Sequence, residues 1–302
     1  MSKAFDNSCY HKSVLTAEVV ANMNIQPGGI YIDATFGGGG HTCAILDAEP
    51  TARVIAMDWD ERAIEENKEL VGEERLSRIR FVRGNFAKIL MHMKRIGVDE
   101  VHGIIADFGT SQQQLVRSAG FSFASSTPLD MRMSPHHGSI TAADIVNRAT
   151  EKELVHIFSE YGEEQYSGRI ARTIVEKRVI QRIVTTEQLV KIIFSCVPSR
   201  NERSRIHPAT KVFQALRIAV NKELENIEFL LNQSSQLIVP GGRLLCISFH
   251  SLEDRIVKQY MRAYKHLWEE VTRKATVQAS EAELLANPSA RSAKMRVAER
   301  KN

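Results

Sequence analysis

The sequence predicts an α/β protein in which a doubly wound, mostly parallel sheet carries an all-helical insertion. Through the first 107 residues, short apolar segments alternate with helical segments, the pattern of parallel strands joined by crossover helices. From residue 110 to about residue 207 the sequence has no clear strand pattern, and the βα pattern then resumes. The predicted domains are therefore a discontinuous sheet domain, 1–112 and 208–302, and a helical insertion, 113–207.

Six strand segments are expected, and three of them end on an acidic residue. The strands are predicted at 30–32, 53–57, 79–82, 101–106, 243–249 and 293–298, the last antiparallel at the sheet edge. Helices are predicted in the insertion at 142–147, 151–161, 166–179 and 186–194, followed by one long helix at 208–237. The acids are Asp33, Asp58 and Asp107. Because α/β sheets bind ligands at the carboxyl ends of their strands, these acids are candidates for a site.

Four consecutive glycines, Gly37 to Gly40, follow the first strand and precede a helical segment. Such a turn presents backbone N–H groups to a ligand. A phosphate-binding P-loop is excluded because His41 follows Gly40 where that motif needs Lys, and the dinucleotide fingerprint fails in register. A positively charged nucleoside remains, and S-adenosylmethionine fits, since Asp33 offers a carboxylate near its ammonium and sulfonium charges. The alternative is that the glycines only form a flexible turn.

Three further positions are candidates for cofactor or substrate contacts. Asp58, at the end of the second strand, is suited to accept hydrogen bonds from ribose hydroxyls. Phe86 either stacks on an adenine ring or packs in the core. Asp107, in the run Asp107-Phe108-Gly109, either accepts hydrogen bonds from the N–H groups of a target amine or binds the amino group of the cofactor.

His250 lies in a second polar run, Ser248 to Arg255. It is a candidate general base or base-contacting residue, whereas Ser251 with Asp254 is also typical of a helix cap. No metal site is predicted, because the four cysteines are far apart without a C-x-x-C pair and His136-His137 has no partner acid nearby.

Positive charge is concentrated in and just after the insertion. Between residues 165 and 220 there are eleven Lys or Arg and three acids, in a chain whose net charge is +4. This excess favours a nucleic-acid partner over a merely solvated helix face. The first twelve residues lack the apolar core of a signal peptide and no segment is long enough to span a membrane. A cytoplasmic enzyme is therefore expected.

The chain resembles the bacterial small-subunit rRNA cytosine-N4 methyltransferases, the RsmH or MraW family, over essentially its whole length. The matching runs include the glycine turn and several motifs that are more specific than it. They are residues 11–15, 33–41, 120–123, 128–133, 161–164, 207–210, 213–217, 248–255, 291–294 and 296–300.

This resemblance implies a class I, S-adenosylmethionine-dependent methyltransferase fold, Rossmann-like and with a helical insertion. It implies methylation of N4 of a decoding-site cytidine, position 1402 in conventional rRNA numbering. The implied partner is 16S rRNA within the small ribosomal subunit or a late assembly intermediate, and a homodimer stays open. Carried over by motif, cofactor contacts fall on Gly39, Gly40, His41, Asp58, Phe86, Asp107 and Gln114.

Two departures from the family pattern leave other functions open. Ser13 replaces a usual proline, and the loop 110–116 lacks the family's Val-Ser-Ser-Pro run, which leaves it less constrained. One alternative is a non-catalytic ribosome assembly factor that binds S-adenosylmethionine and RNA. The other is an NAD-dependent dehydrogenase, which the broken dinucleotide fingerprint disfavours.

Overall fold

The computed structural model describes residues 13–109, 119–123, 125–134, 138–197, 207–272 and 276–302. The chain divides into two compact units. The first, here called the sheet unit, comprises Met1–Ser111 and Leu224–Asn302, and the second, the helical unit, comprises Gln112–Glu223. Among the helices in the described ranges, none is both long and apolar enough to cross a membrane.

Within the described ranges, a seven-stranded sheet forms the centre of the sheet unit. Its strands are β1 Ile30–Asp33, β2 Arg53–Asp58, β3 Ile79–Arg83, β4 Val101–Asp107, β5 Ile238–Ser248, β6 Trp268–Glu270 and β7 Lys294–Arg300. Their order is β3-β2-β1-β4-β5-β7-β6, with β1 to β5 parallel and β7 antiparallel to both of its neighbours. The order reverses between β1 and β4, where doubly wound sheets bind ligands. This topology confirms the predicted fold class.

The last strand is antiparallel, as predicted, but it does not lie at the sheet edge. β7 pairs with β5, from Arg243 opposite Glu299 to Ser248 opposite Lys294. The short strand β6 pairs with the other side of β7 and so forms the edge of the sheet. The sequence did not reveal β6 because a strand of three residues is too short to show alternation.

Helices cover both faces of the sheet, and each face has its own apolar core. Ile32 and Ile104 belong to one cluster, whereas their chain neighbours Tyr31 and Ile105 belong to the other, as strand alternation requires. The helices of the sheet unit are Thr16–Asn22, Gly40–Ala48, Glu61–Asn67, Glu73–Leu76, Ile89–Arg95, Glu223–Leu237, Ser251–Ala263 and Glu281–Ala286, with 3₁₀ turns at Phe86–Lys88 and Pro288–Ser292.

The helical unit has a separate core, to which Phe158 and Leu189 contribute fully buried side chains. Its helices, in the described part, are Ala142–Arg148, Glu151–His156, Ser167–Ile180, Thr186–Cys196 and Ala209–Asn221, with a π-helical turn at Ile157–Tyr161. Reciprocal capping boxes begin three of them, at Thr141, Thr150 and Thr185, which satisfies backbone donors that a helix start leaves open. The helical segments predicted for the insertion are confirmed.

The long helix expected at 208–237 is two helices, Ala209–Asn221 and Glu223–Leu237. They are separated by Lys222, whose φ of 52° is left-handed and ends the first helix. The helical unit accordingly extends to Glu223 rather than to residue 207. An ion pair between Arg217 and Glu223, at 2.9 Å, spans this break. Nothing in the sequence marks the break, since Lys is an ordinary helix residue.

Candidate active site

The three strand-end acids lie together at the carboxyl edge of the sheet, around its switch point. The register pairs Asp33 of β1 with Ala56 of β2 and with Ile105 of β4. Asp58 and Asp107 therefore each lie two residues beyond the level of Asp33, on the two strands that flank β1. Side chains two residues apart on a strand share a face, so all three carboxylates belong to the same side of the sheet.

Asp33 stabilises the glycine turn from the protein interior. Its side chain is fully buried, with a residue exposure of 0%, and it accepts hydrogen bonds from the Thr42 hydroxyl at 2.7 Å and the Thr35 N–H at 3.2 Å. Burial raises the pKa of this carboxyl above its usual range. The expectation of direct contact with the cofactor charges does not fit this burial. Asp33 instead links the end of β1 to the helix after the glycine turn.

Asp58 holds the glycine turn from the neighbouring strand. One carboxylate oxygen accepts the Gly37 N–H at 2.8 Å and the other accepts the Asp60 N–H at 2.8 Å. These bonds favour the ionised form, but burial outweighs them and raises the pKa of Asp58 to about 7. Gly37 has φ 49° and Gly39 has φ 77°, the left-handed region that favours glycine.

Gly39, Gly40 and His41 form the start of the helix after the turn. A Cβ on Gly39 would lie 2.9 Å from the Phe36 ring, and one on Gly40 would lie 2.4 Å from the Ser13 hydroxyl. The buried His41 ring places Nε2 2.8 Å from the carbonyl oxygen of Val14. The turn is therefore packed tightly against the segment that precedes the first helix, and only glycine fits at both positions.

Phe86, for which the sequence left core packing and adenine stacking open, packs partly against the core. Its ring is half-buried against the core, and its centroid lies 6.1 Å from that of Phe108 at a tilt of 52°. The Asn85 side chain accepts the Ala87 N–H at 2.8 Å and so begins the 3₁₀ turn that carries Phe86. This contact leaves part of the ring exposed.

Asp107 ends β4, two residues before Gly109, whose backbone lies unusually close to the Phe249 ring. The N–H of Asp107 donates to the Thr35 hydroxyl at 2.7 Å, and its carboxylate accepts the Gly109 N–H at 3.2 Å. Burial raises the pKa of Asp107 to about 6, and this effect outweighs the charge interaction with the nearby His41, which lowers the pKa. The Phe249 ring lies against Gly109, where an added Cβ would be 2.5 Å from the ring carbon Cε2.

The short distance between Gly109 and the Phe249 ring can be tested by substitution. Gly109→Ala puts a methyl group inside the contact distance of the Phe249 ring, so the ring or the Asp107–Gly109 turn must move. We expect the catalytic rate to fall about a hundredfold, the scale of an ångström-sized misplacement of reacting groups, with affinity for the bound ligand within about threefold. Isothermal titration and single-turnover assays separate the two effects. Wild-type turnover in Gly109→Ala would show that the approach has no part in positioning.

His250 begins a helix, and its ring is engaged with Glu253. It is the N-cap of Ser251–Ala263, and its Nδ1 accepts the Glu253 N–H at 3.5 Å. Its Nε2 lies 3.1 Å from the Glu253 carboxylate, in a geometry that makes no hydrogen bond. Glu253 also accepts the Phe249 N–H at 2.7 Å. The cap expected from Ser251 and Asp254 is thus formed by His250 and Glu253. Asp254 instead pairs with Arg296 at 2.6 Å.

Several positively charged side chains of the helical unit are held by hydrogen bonds or ion pairs within the unit, which the sequence alone did not indicate. Arg178 donates to the carbonyls of Val146 and Ala149, Lys211 donates to that of Glu163, and Arg217 pairs with Glu223. Of the eleven cations between residues 165 and 220, those that the structure shows as exposed are Arg169, Arg172, Lys177, Arg182 and Lys191. Three of the eleven, Arg200, Arg203 and Arg205, lie outside the described residues, as does the predicted cofactor residue Gln114.

Sequence reasoning missed three residues that shape the site: Thr35, Phe249 and Glu253. The contact of Thr35 with Asp107 and that of Phe249 with Gly109 join distant parts of the chain, and no periodic signal marks either. Glu253 had a signal, because it stands three residues after His250 in capping-box spacing.

Comparison with known proteins gives near-full-length matches. The model of the MraW methylase family matches residues 8–301. "Ribosomal RNA small subunit methyltransferase H" of a Cyanothece species is 46% identical over 294 residues, covering 96% of this chain and 94% of that protein. The protein of the same name from Desulfotalea psychrophila is 45% identical, covering 96% and 98%, and that from Gloeobacter violaceus is 47% identical, covering 96% and 88%.

These matches confirm the family predicted from the sequence motifs, together with its class I fold and its cofactor, S-adenosylmethionine. A methylase that matches over this length is not an NAD-dependent dehydrogenase, so that alternative is wrong. The chain belongs to the MraW methylase family.

Proposed function

We propose that this protein transfers a methyl group from S-adenosylmethionine to the exocyclic N4 of a cytidine in 16S rRNA. The observation that carries the rRNA assignment is the identity of 45–47% to curated relatives named for methylation of small-subunit ribosomal RNA. The choice of an amine acceptor rests on Asp107, a carboxylate at the end of β4 within the acidic edge.

The proposed cofactor site uses the glycine turn, Asp58 and Phe86. Gly39, Gly40 and His41 form a concave backbone edge at the helix start. Asp58 accepts hydrogen bonds from the ribose hydroxyls, since an ionised carboxylate is the strongest acceptor available there. The exposed part of Phe86 packs on the adenine ring. Gln114 stays a prediction from the family motif.

The proposed chemistry is an in-line displacement at the methyl carbon. The lone pair of N4 forms the new C–N bond as the C–S bond breaks, which leaves neutral S-adenosylhomocysteine. Asp107 accepts a hydrogen bond from an N4 hydrogen, so it aligns the lone pair and stabilises the positive charge that develops on nitrogen. N4 then loses one proton, to the Asp107 carboxylate and on to solvent. Phe249 offers an apolar ring face beside this turn for the cytosine.

We propose that the exposed cations of the helical unit bind rRNA phosphates, with a small ribosomal subunit or a late assembly intermediate as the substrate. Methylation assays on intact subunits, on assembly intermediates and on protein-free 16S rRNA distinguish these substrates. Gel filtration of the free protein tests for a homodimer.

The proposed function is tested against a non-catalytic assembly factor by a single-turnover assay. Excess enzyme is mixed with labelled S-adenosylmethionine and small subunits from a strain that lacks this gene. We expect label in 16S rRNA to reach about one methyl group per subunit. Tight binding of both partners without transfer to any of the three substrates would favour the assembly factor and contradict the proposal.

The raised pKa values of Asp58 and Asp107 predict opposite effects of pH on cofactor binding and on folding. Cofactor binding uses the ionised Asp58 carboxylate, so we expect the dissociation constant to rise as pH falls below about 7, by up to about tenfold per pH unit. Because both folded-state values are raised, the contribution of these groups to stability is full below about pH 4 and is lost as pH rises through 6 to 7.

Isothermal titration and denaturant unfolding between pH 5.5 and 8.5 measure these two trends. Asp58→Asn serves as the control, since it removes the more strongly shifted group and should flatten the upper part of the binding profile. A dissociation constant that does not change with pH would contradict a role for the Asp58 carboxylate in cofactor binding.

A further inference from the structure

A column of aromatic rings runs from the core of the helical unit to its surface. Phe213 is buried and meets Phe123 edge to face, with ring centroids 5.3 Å apart. Phe123 stacks on His207 at 4.4 Å and an interplanar angle of 15°. His207 in turn meets Phe194 edge to face at 5.1 Å and 88°. The outermost ring, Phe194, is therefore braced by a series of aromatic contacts rather than standing alone.

Phe194 leaves half of its surface in solvent, with an exposure of 50%. It lies on the helix Thr186–Cys196, whose apolar residues Leu189 and Ile193 are fully buried. Placing a large aromatic on the polar side of this helix gains little burial and loses the solubility that a polar residue would provide. A ring that is both exposed and held in place is suited to stack on a flat partner.

His207 adds a hydrogen-bonding edge to the outer ring. Its Nδ1 accepts the Ala209 N–H at 3.2 Å, so the neutral imidazole carries its hydrogen on Nε2. That hydrogen bond also fixes the orientation of the ring at the start of the helix Ala209–Asn221. An aromatic ring beside a fixed N–H donor matches the needs of a nucleobase, which has a flat face and acceptor atoms on its edge.

Positive charge flanks Phe194. Arg169 is exposed, and its guanidinium lies 3.4 Å from the carbonyl oxygen of Ser195, the residue after Phe194. Lys191 is exposed one helical turn before Phe194 and is paired with Glu187 at 2.6 Å. Cations on either side of an exposed ring are suited to the phosphates on either side of a base.

The surroundings of Phe194 favour RNA over an apolar protein surface. Cys196 contacts the Arg169 carbonyl at 3.8 Å and the Thr173 hydroxyl at 3.2 Å, so the end of this helix lies beside the first half of Ser167–Ile180. Val179 and Ile180, which are also exposed, lie at the other end of that second helix. At 1.5 Å per residue they lie roughly 9 to 10.5 Å from Thr173 along the helix axis. The exposed ring of Phe194 and the exposed pair Val179 and Ile180 therefore lie at different places on the helical unit rather than in one broad apolar patch.

We propose that Phe194 and His207 form a stacking site for one unpaired base of the RNA substrate, with Arg169 and Lys191 contacting the adjacent phosphates. This site lies in the helical unit and is separate from the residues assigned to methyl transfer. It rests on the proposed function for its substrate class, and it adds a contact that recognises single-stranded rather than duplex RNA.

The test compares binding of Phe194 variants to small ribosomal subunits that lack the modification. We expect Phe194→Leu to weaken binding about ten- to hundredfold, the usual effect of losing one stacked base, and Phe194→Tyr to bind within about twofold of wild type. Phe229→Leu is the matched control, since Phe229 is a similarly exposed ring, 56%, in the sheet unit. It should bind as wild type, and no variant should change cofactor affinity.

A single-stranded and a double-stranded RNA oligonucleotide of equal length complete the test. The loss in Phe194→Leu should appear with the single strand and be absent with the duplex. Arg169→Gln should weaken binding to both and reduce the salt slope by about one, which keeps the charge contact testable if Phe194→Leu fails to fold.

Three outcomes would overturn the stacking site. They are unchanged subunit binding by Phe194→Leu, an equal loss on duplex RNA, or a change of oligomeric state in gel filtration, which would assign Phe194 to a contact between copies. These results leave the proposed function standing if the wild-type protein methylates subunits. Failure of the wild type to bind or methylate any rRNA substrate would instead overturn the proposed function itself.

Discussion

Replacing Asp107 with alanine is expected to reduce single-turnover methyl transfer about a thousandfold, the upper range for losing one preorganised polar contact to the transition state. The carboxylate is the hydrogen-bond acceptor that aligns N4 in the proposed mechanism, and alanine offers none. The fold should survive, because the change removes a carboxyl whose pKa burial has raised and so relieves a desolvation cost. The Gly109 N–H loses its acceptor at the mouth of the site.

Transfer rate, cofactor affinity and thermal stability are measured together on Asp107→Ala and Asp107→Asn. The asparagine variant keeps a carbonyl oxygen that can accept the Gly109 N–H but takes up no proton, so its rate should lie between wild type and alanine. Asp99→Ala is the control, since Asp99 is exposed on the same unit. Full activity in Asp107→Ala would remove Asp107 from the chemistry. A loss confined to cofactor affinity would assign it to the cofactor amino group.

Replacing Asp58 with asparagine is expected to weaken S-adenosylmethionine binding at least about a hundredfold. A hydrogen bond to a charged acceptor contributes about 1.5–3 kcal/mol, and the ribose offers two hydroxyls. The change also affects the turn itself. Asparagine has one acceptor oxygen, so either the Gly37 N–H or the Asp60 N–H loses its partner.

Isothermal titration measures this loss, and transfer at saturating cofactor shows whether chemistry is retained. We expect the KM for S-adenosylmethionine to rise while kcat changes by less than about tenfold, since Asp58 contacts the ribose and not the reacting atoms. Asp60→Asn is the matched control, because Asp60 caps the helix Glu61–Asn67 by accepting the Arg62 N–H at 3.0 Å, a role that asparagine also fills. Wild-type cofactor affinity in Asp58→Asn would contradict the ribose contact.

The strands and their acidic ends could be predicted because both depend on local pattern. Short, nearly continuous apolar runs mark β1 to β4, and in a parallel sheet every strand end of this kind falls on one edge. The glycine turn could be predicted for the same reason, since Gly37 and Gly39 have the positive φ that only glycine adopts readily. Local chemistry therefore specified where the site lies.

The features that the sequence did not predict depend on contacts between distant residues. Asp33 looks like a ligand-facing acid, but Thr42 and Thr35 occupy its oxygens inside the protein. The ring of Phe249 reaches Gly109 from the next strand in the sheet, 140 residues later in the chain. Arg178 counts as positive charge in the sequence, yet its guanidinium is held by helix-end carbonyls.

The central claim is tested most directly by identifying the methylated nucleoside. Small subunits from a strain lacking this gene are incubated with the protein and labelled S-adenosylmethionine, and the rRNA is digested for nucleoside mass spectrometry. We expect the label in N4-methylcytidine of 16S rRNA, and none with Asp107→Ala. Label in any other nucleoside would contradict the assignment of the N4 amine. No label, with S-adenosylmethionine bound and intact subunits or assembly intermediates supplied, would contradict the assignment of the protein as an rRNA methyltransferase.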